Sequence, residues 1–326
     1  MKKRNLLVGL SIMTFLVSAL SGCGSVESKA AENETITIRL ADQSPSFALV
    51  YSYAQDKGYF NEVFKNDNVK IEISDFESGP AVNEAFAANQ LDIATVGAFP
   101  AITGFNNNYG YKIIGKINYT DYFPLIATTA SGVNSSEDLK GKKLGTSVGG
   151  QYHYLLLKHL ENAGLKADDV QIINSGADTP TMIRSNDIDG TALSSVNVAK
   201  LVQEGSAVIL SENPGDIIAG YIVASDEFTE KNPEIAQKFV NAMNSVVSDI
   251  AKSPDEYATF ISEKTGTDRS YIDSYLSHQT FEIDITNKDL QSLKNVSDFL
   301  FEQGILDNSD FKIDELINKE YLDNIK

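Results

Sequence analysis

A two-lobed α/β fold, with a mixed sheet flanked by helices in each lobe, is predicted by three features of the chain. The first is the stretch 78–101 (SGPAVNEAFAANQLDIATVGAFPA), which places two helix starts around one short apolar strand. The second is 187–197 (DIDGTALSSVN), which repeats the same order of acidic turn, small-residue strand, polar loop and helix. The third is a pair of extended segments, 118–129 and 217–224, where the chain would cross to the second lobe and return. The 326 residues are 42% hydrophobic, enough for sizeable cores in two domains.

The first residues stand apart. Met1-Lys2-Lys3-Arg4 is a basic start, and 6–20 is an apolar run too short for a lasting membrane span. It closes on Leu20-Ser21-Gly22-Cys23, which resembles the bacterial lipoprotein signal. That resemblance implies a signal peptide over 1–22 and lipidation of Cys23, with two or more acyl chains holding the protein at a membrane surface. Cys23 is the only cysteine, so a disulfide framework is excluded. Residues 24–34 are small, polar and charged, as suits a tether. The formal charge is −18, a poor match to nucleic acid, and it becomes more negative once Lys2, Lys3 and Arg4 are removed.

The first lobe is expected over 35–121 plus 222–326. Residues 35–40 alternate as a strand, and a helix from Phe47 to about Lys57 ends at Gly58. Gln43 and Ser44 then fall at the carboxyl end of the first strand, where open α/β sheets bind ligands. After a strand at 69–73, Ser78-Gly79-Pro80 gives a cap residue, a glycine and a first-turn proline. Ala81, Val82, Ala85 and Phe86 follow at helical spacing. Gly97-Ala98-Phe99-Pro100 opens the next helix. Helix N-termini facing one crevice offer unpaired N–H groups and positive dipole ends to a small anion. An ordinary strand–helix unit with tight glycine turns explains the same residues. A strand follows at 111–117, and 118–129 carries Tyr122 toward the crossing.

The second lobe is expected over 122–221. Gly145-Thr146-Ser147-Val148-Gly149 fits the nucleophile-elbow pattern between a strand and a helix. A hydrolase would want an acid and then a histidine further on; only His278 lies well downstream, in a helical appendage. The binding reading uses Gly149-Gly150 for close backbone approach and Gln151, Tyr152 and His153 as a first helical turn. His153 then either meets the ligand or faces solvent. Thr179-Pro180 reads as another cap and proline. Ser194-Ser195-Val196-Asn197 opens the last helix of the lobe, and Tyr221 sits on the returning strand near the crossing. The remaining chain reads as helices packing on the first lobe, with Ser253-Pro254-Asp255-Glu256 as a capping box.

GYFNEVF (58–64) followed by the 78–102 stretch resembles the substrate-binding proteins of ABC importers for sulfonates, nitrate and taurine. The glycine–aromatic helix end, the Ser-Gly loop, the segment ending in Asp92 and the turn 97–100 follow one another as in that family. Ser136–Gly145, with its DLKGKK, resembles the family's turn into the second lobe. The resemblance implies a type 2 periplasmic-binding-protein fold, hinge closure around a small molecule, and a membrane permease as partner. It implies an extracytoplasmic monomer with no cofactor or metal, and no enzymatic activity. The resemblance favours an alkyl sulfonate or taurine; with no arginine in the loops assigned to the cleft and many tyrosines nearby, a thiamine-precursor pyrimidine or other heteroaromatic is the alternative. Ser194–Asn197 departs from the family pattern, so ligand identity does not carry over there. The pyrimidine synthases of this fold use a cysteine-rich motif that is missing here. Three histidines without ligand spacing, and no P-loop, speak against a metal site and an ATPase.

Overall fold

The computed structural model describes residues 35–43, 48–308 and 310–325. The signal segment, Cys23, the tether and Ser44 lie outside them. The chain from Thr35 onward forms one compact unit.

Its first half builds β1 (Ile36–Asp42), α1 (Val50–Asp56), α2 (Tyr59–Val63), β2 (Val69–Asp75), α3 (Gly79–Ala87), β3 (Ile93–Val96), α4 (Ala98–Asn106) and β4 (Tyr111–Thr120). A second group follows: β5 (Leu125–Thr128), β6 (Lys143–Thr146), α5 (Gln151–Asn162), β7 (Gln171–Asn174), α6 (Thr179–Ser185), β8 (Gly190–Ala192), α7 (Ser195–Gln203) and β9 (Ala207–Ser211). The chain then returns through β10 (Ile218–Ser225) to α8 (Asp226–Lys231), α9 (Pro233–Lys252), α10 (Pro254–Thr265), α11 (Arg269–Leu276), β11 (Thr280–Phe281), α12 (Asn287–Glu302), α13 (Ile313–Leu316) and α14 (Glu320–Asp323).

The strands form two sheets. One runs β11-β4-β10-β3-β1-β2, the other β7-β6-β8-β5-β9. In each, a central strand pairs in parallel on both sides (β1 with β2 and β3, β6 with β7 and β8). In each, an antiparallel strand then separates that trio from the next strand: β10 in one, β5 in the other. The echo between 92–100 and 187–197 therefore has a topological basis. It also has a chemical one. Asp92 accepts the backbone N–H of Arg39 at 2.8 Å, and its own N–H donates back to the Arg39 carbonyl at 2.9 Å. Asp189 does the same with Lys143, at 2.8 and 2.7 Å. Each aspartate thus fixes where a buried strand joins its sheet; Asp92 adds a two-pronged contact to the Arg39 guanidinium.

Burial follows the patterning. Ile38 and Leu40 on β1 are fully buried, and α9 turns Ile235, Phe239, Met243, Val246 and Ile250 to the core at helical spacing. Several local expectations are corrected. The first helix starts at Val50, its expected start at Phe47 lying outside the described residues, and it ends as expected at Gly58, whose left-handed backbone (φ +80°) also opens α2. The strand at Tyr111 continues to Thr120, so the first crossing is only 121–124. Thr179 does not cap α6: its hydroxyl donates to the Gly176 carbonyl at 2.7 Å, one residue inside the helix. Ser253 forms no capping box, because Glu256 pairs with Lys57 at 2.6 Å instead. The two crossings touch, Phe123 N–H donating to the Glu212 carbonyl at 2.8 Å. Among the described residues no helix is long and apolar enough to cross a membrane.

Candidate functional site: a cleft between the two sheets

The strands of both sheets end at a cleft of about 1270 Å³. Its first-sheet wall begins with α3 and α4, which are held side by side. Gly79 makes this possible, because a Cβ there would lie 2.6 Å from Pro100 Cγ. The glycine therefore makes room for the Pro100 ring between the two helices. Beneath the contact, Asn83 Nδ2 donates to the Pro100 carbonyl at 2.9 Å, and the Tyr111 hydroxyl lies 2.7 Å from the same oxygen and 2.8 Å from Asn83 Oδ1. This buried cluster fixes the direction in which both helix N-termini point.

Three N-termini reach the cleft without a side-chain cap: α4 behind Gly97, α5 behind Gly150 and α7 behind Ser194. Their first-turn N–H groups have no intrahelical partner, and the dipole leaves partial positive charge there. The fourth, α3, is capped by the Ser78 hydroxyl, which accepts from Ala81 N–H at 3.5 Å. The lobes meet closely at Gly97, where a Cβ would lie 3.5 Å from Gln151 Oε1.

Of the residues expected here, Gln43, Ser78, Gly79, Gly97, Phe99, Tyr122, Gly149, Gly150, Gln151, Tyr152, Ser194 and Asn197 line the cleft. Gln43 is anchored by its amide, which donates to the Thr95 carbonyl at 2.8 Å. Tyr122 stacks flat on His278, ring centres 3.5 Å apart. Tyr152 packs on Phe123, and burial pushes its phenol pKa up against the opposing hydrogen bond with Ser194.

Three of the expected residues are not on the cleft lining. His153 is turned inward: its Nδ1 accepts the Gly149 N–H at 3.2 Å, its ring packs edge-on against Phe299, and burial lowers its pKa. Tyr221 is fully buried in β10, its hydroxyl 3.5 Å from Asp289. Ala98 packs toward the core instead of lining the cleft.

The sequence reading missed others. Thr95, Asn118, Lys200, Lys264 and Gln279 all line the cleft. Lys200 had a signal, since it follows Val196 and Asn197 by four and three residues on one helix face. Lys264 and Gln279 had none, because the C-terminal helices were expected only to pack. In fact α11 meets α7, where Tyr271 hydroxyl lies 2.7 Å from Gln203 Oε1, and α12 sends Phe299 against Tyr154 of α5.

The elbow motif is not built as an elbow. The left-handed backbone falls at Gly149 (φ +80°) and not at Ser147. Gly145 is required by packing, a Cβ there lying 2.5 Å from Ile188 Cδ1. Among the described residues no histidine reaches Ser147: His153 serves Gly149, His159 Nε2 lies 2.7 Å from the Phe123 carbonyl, and His278 lies on Tyr122. Nor do three metal-ligating side chains cluster among those residues.

Two mixed sheets joined by two crossings around one cleft define the periplasmic-binding-protein fold. The chain belongs to the NMT1/THI5-like family, which matches residues 44–257. It is 25% identical to a Bacillus subtilis (strain 168) protein named for binding aliphatic sulfonates, over 97% of this chain and 94% of that protein. It is 23% identical to the taurine-binding periplasmic protein of Escherichia coli (strain K12), over 75% and 81%. The crystal structure of the periplasmic aliphatic sulphonate binding protein SsuA from Escherichia coli superposes with a TM-score of 0.76. It is 19% identical and covers 87% of this chain and 92% of its own. The chain is also 23% identical, over 65% of each protein, to a 4-amino-5-hydroxymethyl-2-methylpyrimidine phosphate synthase of Aspergillus parasiticus.

Proposed function

We propose that this protein is an extracytoplasmic solute-binding protein for a small organic anion of the alkyl sulfonate or taurine class. The observation that carries the proposal is the convergence of three uncapped helix N-termini, from both lobes, on one cleft. A sulfonate presents three oxygens that accept hydrogen bonds, and backbone N–H groups at helix starts are suited to donate them. Phe99, Tyr122 and Tyr152 would cover the organic part. The names of the bacterial relatives support the same ligand class. In this reading 1–22 is removed, Cys23 is lipidated, residues 23–34 form the tether, and the closed protein delivers its ligand to an ABC permease. In this reading the cleft binds rather than reacts; against a serine hydrolase, among the described residues no base reaches Ser147 and the histidines are engaged elsewhere.

Calorimetric titration of the purified protein with 1-butanesulfonate, taurine, nitrate and the hydroxymethyl-pyrimidine tests this. Saturable binding of a sulfonate is the expected result. Binding of the neutral pyrimidine alone, or of none of the anions, overturns it.

A further inference from the structure

We infer that the ligand carries a second anionic group, held at the end of the cleft where α11 packs against both α7 and α10. This rests on the organic-anion reading of the same site and narrows its substrate class.

The protein is strongly acidic, and sixteen ion pairs engage cations of the described residues. The cleft reverses that balance. Its charged lining consists of Lys200, Lys264 and Glu77, and among the described residues neither lysine lies within 4 Å of a carboxylate. Lys200 is half-buried. Its ammonium sits 5.2 Å from the ring centre of Tyr271, which α11 brings from the first lobe to the second. Lys264 contributes from the last turn of α10, its ammonium 5.6 Å from the Phe260 ring. The two lysines come from different lobes, Lys200 on α7 and the exposed Lys264 on α10.

Along α7 the backbone of Lys200 lies five residues beyond Ser195, about 7.5 Å along the helix axis. The cleft volume of about 1270 Å³ exceeds the roughly 300–1,000 Å³ of ordinary small-molecule sites. One small sulfonate leaves the lysine end filled with water. An acid with two anionic groups on a spacer of a few carbons reaches both the helix N-termini and the lysines, and pairs an ammonium that no described carboxylate approaches within 4 Å.

The test compares 1,4-butanedisulfonate with 1-butanesulfonate by calorimetry on the intact protein, on Lys200→Met/Lys264→Met, and on Lys200→Arg/Lys264→Arg. The expected result is a preference for the disulfonate of about tenfold or more, a preference that shrinks with added salt. It collapses toward unity in the Met variant and persists in the Arg variant. Equal affinity of the intact protein for the two compounds overturns the inference and leaves the organic-anion reading standing. Retention of the full preference by the Met variant also overturns it. Binding of neither compound overturns both.

Discussion

The ammonium of Lys116 lies 2.8 Å from a carboxylate oxygen of Asp289, and both side chains are wholly excluded from solvent. The same oxygen accepts the backbone N–H and hydroxyl of Thr286, at 2.8 and 2.7 Å, so one aspartate caps α12 and neutralises a lysine of β4. Glu282 lies 2.8 Å from the ammonium, and the Tyr119 ring faces it at 4.7 Å. The pair fixes the start of the helix whose Phe299 touches the second lobe. Removing one partner leaves a buried charge. Lys116→Met is therefore expected to cost about 3–5 kcal/mol in urea unfolding. Lys116→Met/Asp289→Leu should recover all but about 1–2 kcal/mol, the loss of the helix cap.

Two glycines of the cleft are expected to behave differently. At Gly79 a methyl group meets Pro100 Cγ at 2.6 Å and Pro100 Cβ at 2.9 Å, so Gly79→Ala forces α3 and α4 apart and costs about 1–3 kcal/mol. At Gly97 the nearest atom is Gln151 Oε1 at 3.5 Å, an ordinary contact, and Gly97→Ala should change stability by no more than about 0.5 kcal/mol. A large side chain at Gly97 occupies the point where the lobes meet. Gly97→Phe is expected to weaken ligand binding while the melting temperature without ligand stays near wild type.

These glycines mark how far the sequence could be read. Local signals were strong where chemistry repeats: the strand–turn–helix units around Asp92 and Asp189, the proline-started helices, and the long apolar face of α9. They placed most of the helix N-termini at the cleft. They could not say which atoms a glycine makes room for, since Pro100 lies twenty-one residues from Gly79 in sequence. The inward turn of His153 follows from a bond to the backbone four residues earlier, invisible to hydrophobic periodicity. Lys264 and Gln279 reach the cleft through the packing of α11 on α7, a tertiary contact with no local signature.

Asp42 provides a pH test in the first lobe. Burial pushes its carboxyl up to about 6, against the lowering effect of hydrogen bonds from Ser52 and Tyr51. The unfolded value is near 4. A raised folded value means that the protonated form stabilises the fold fully below about pH 4, and that this contribution is lost as pH rises through about 6. Asp42→Asn does not titrate. Its stability relative to wild type should therefore improve by about 2 kcal/mol between pH 4 and pH 7, as read by denaturant unfolding. A difference independent of pH would refute the assignment.

The second lobe should respond with the opposite sign. His159 is almost fully buried, with Nε2 at 2.7 Å from the Phe123 carbonyl and Nδ1 without a partner among the described residues; burial lowers its pKa. His153, also lowered by burial, must stay neutral for Nδ1 to accept from Gly149. A histidine whose folded value is depressed contributes stability that is present above its unfolded pKa of about 6.5 and lost as pH falls below it, because the unfolded chain takes up the proton first. His159→Gln keeps a donor for the Phe123 carbonyl and does not titrate. It should be less stable than wild type at pH 7.5, and the gap should narrow steadily toward pH 5. Amide hydrogen exchange should place the acid-sensitive opening of the wild type at the crossing segment 121–124 and the start of α5. An acid response confined to β1 and α1 would show that these histidines do not govern it.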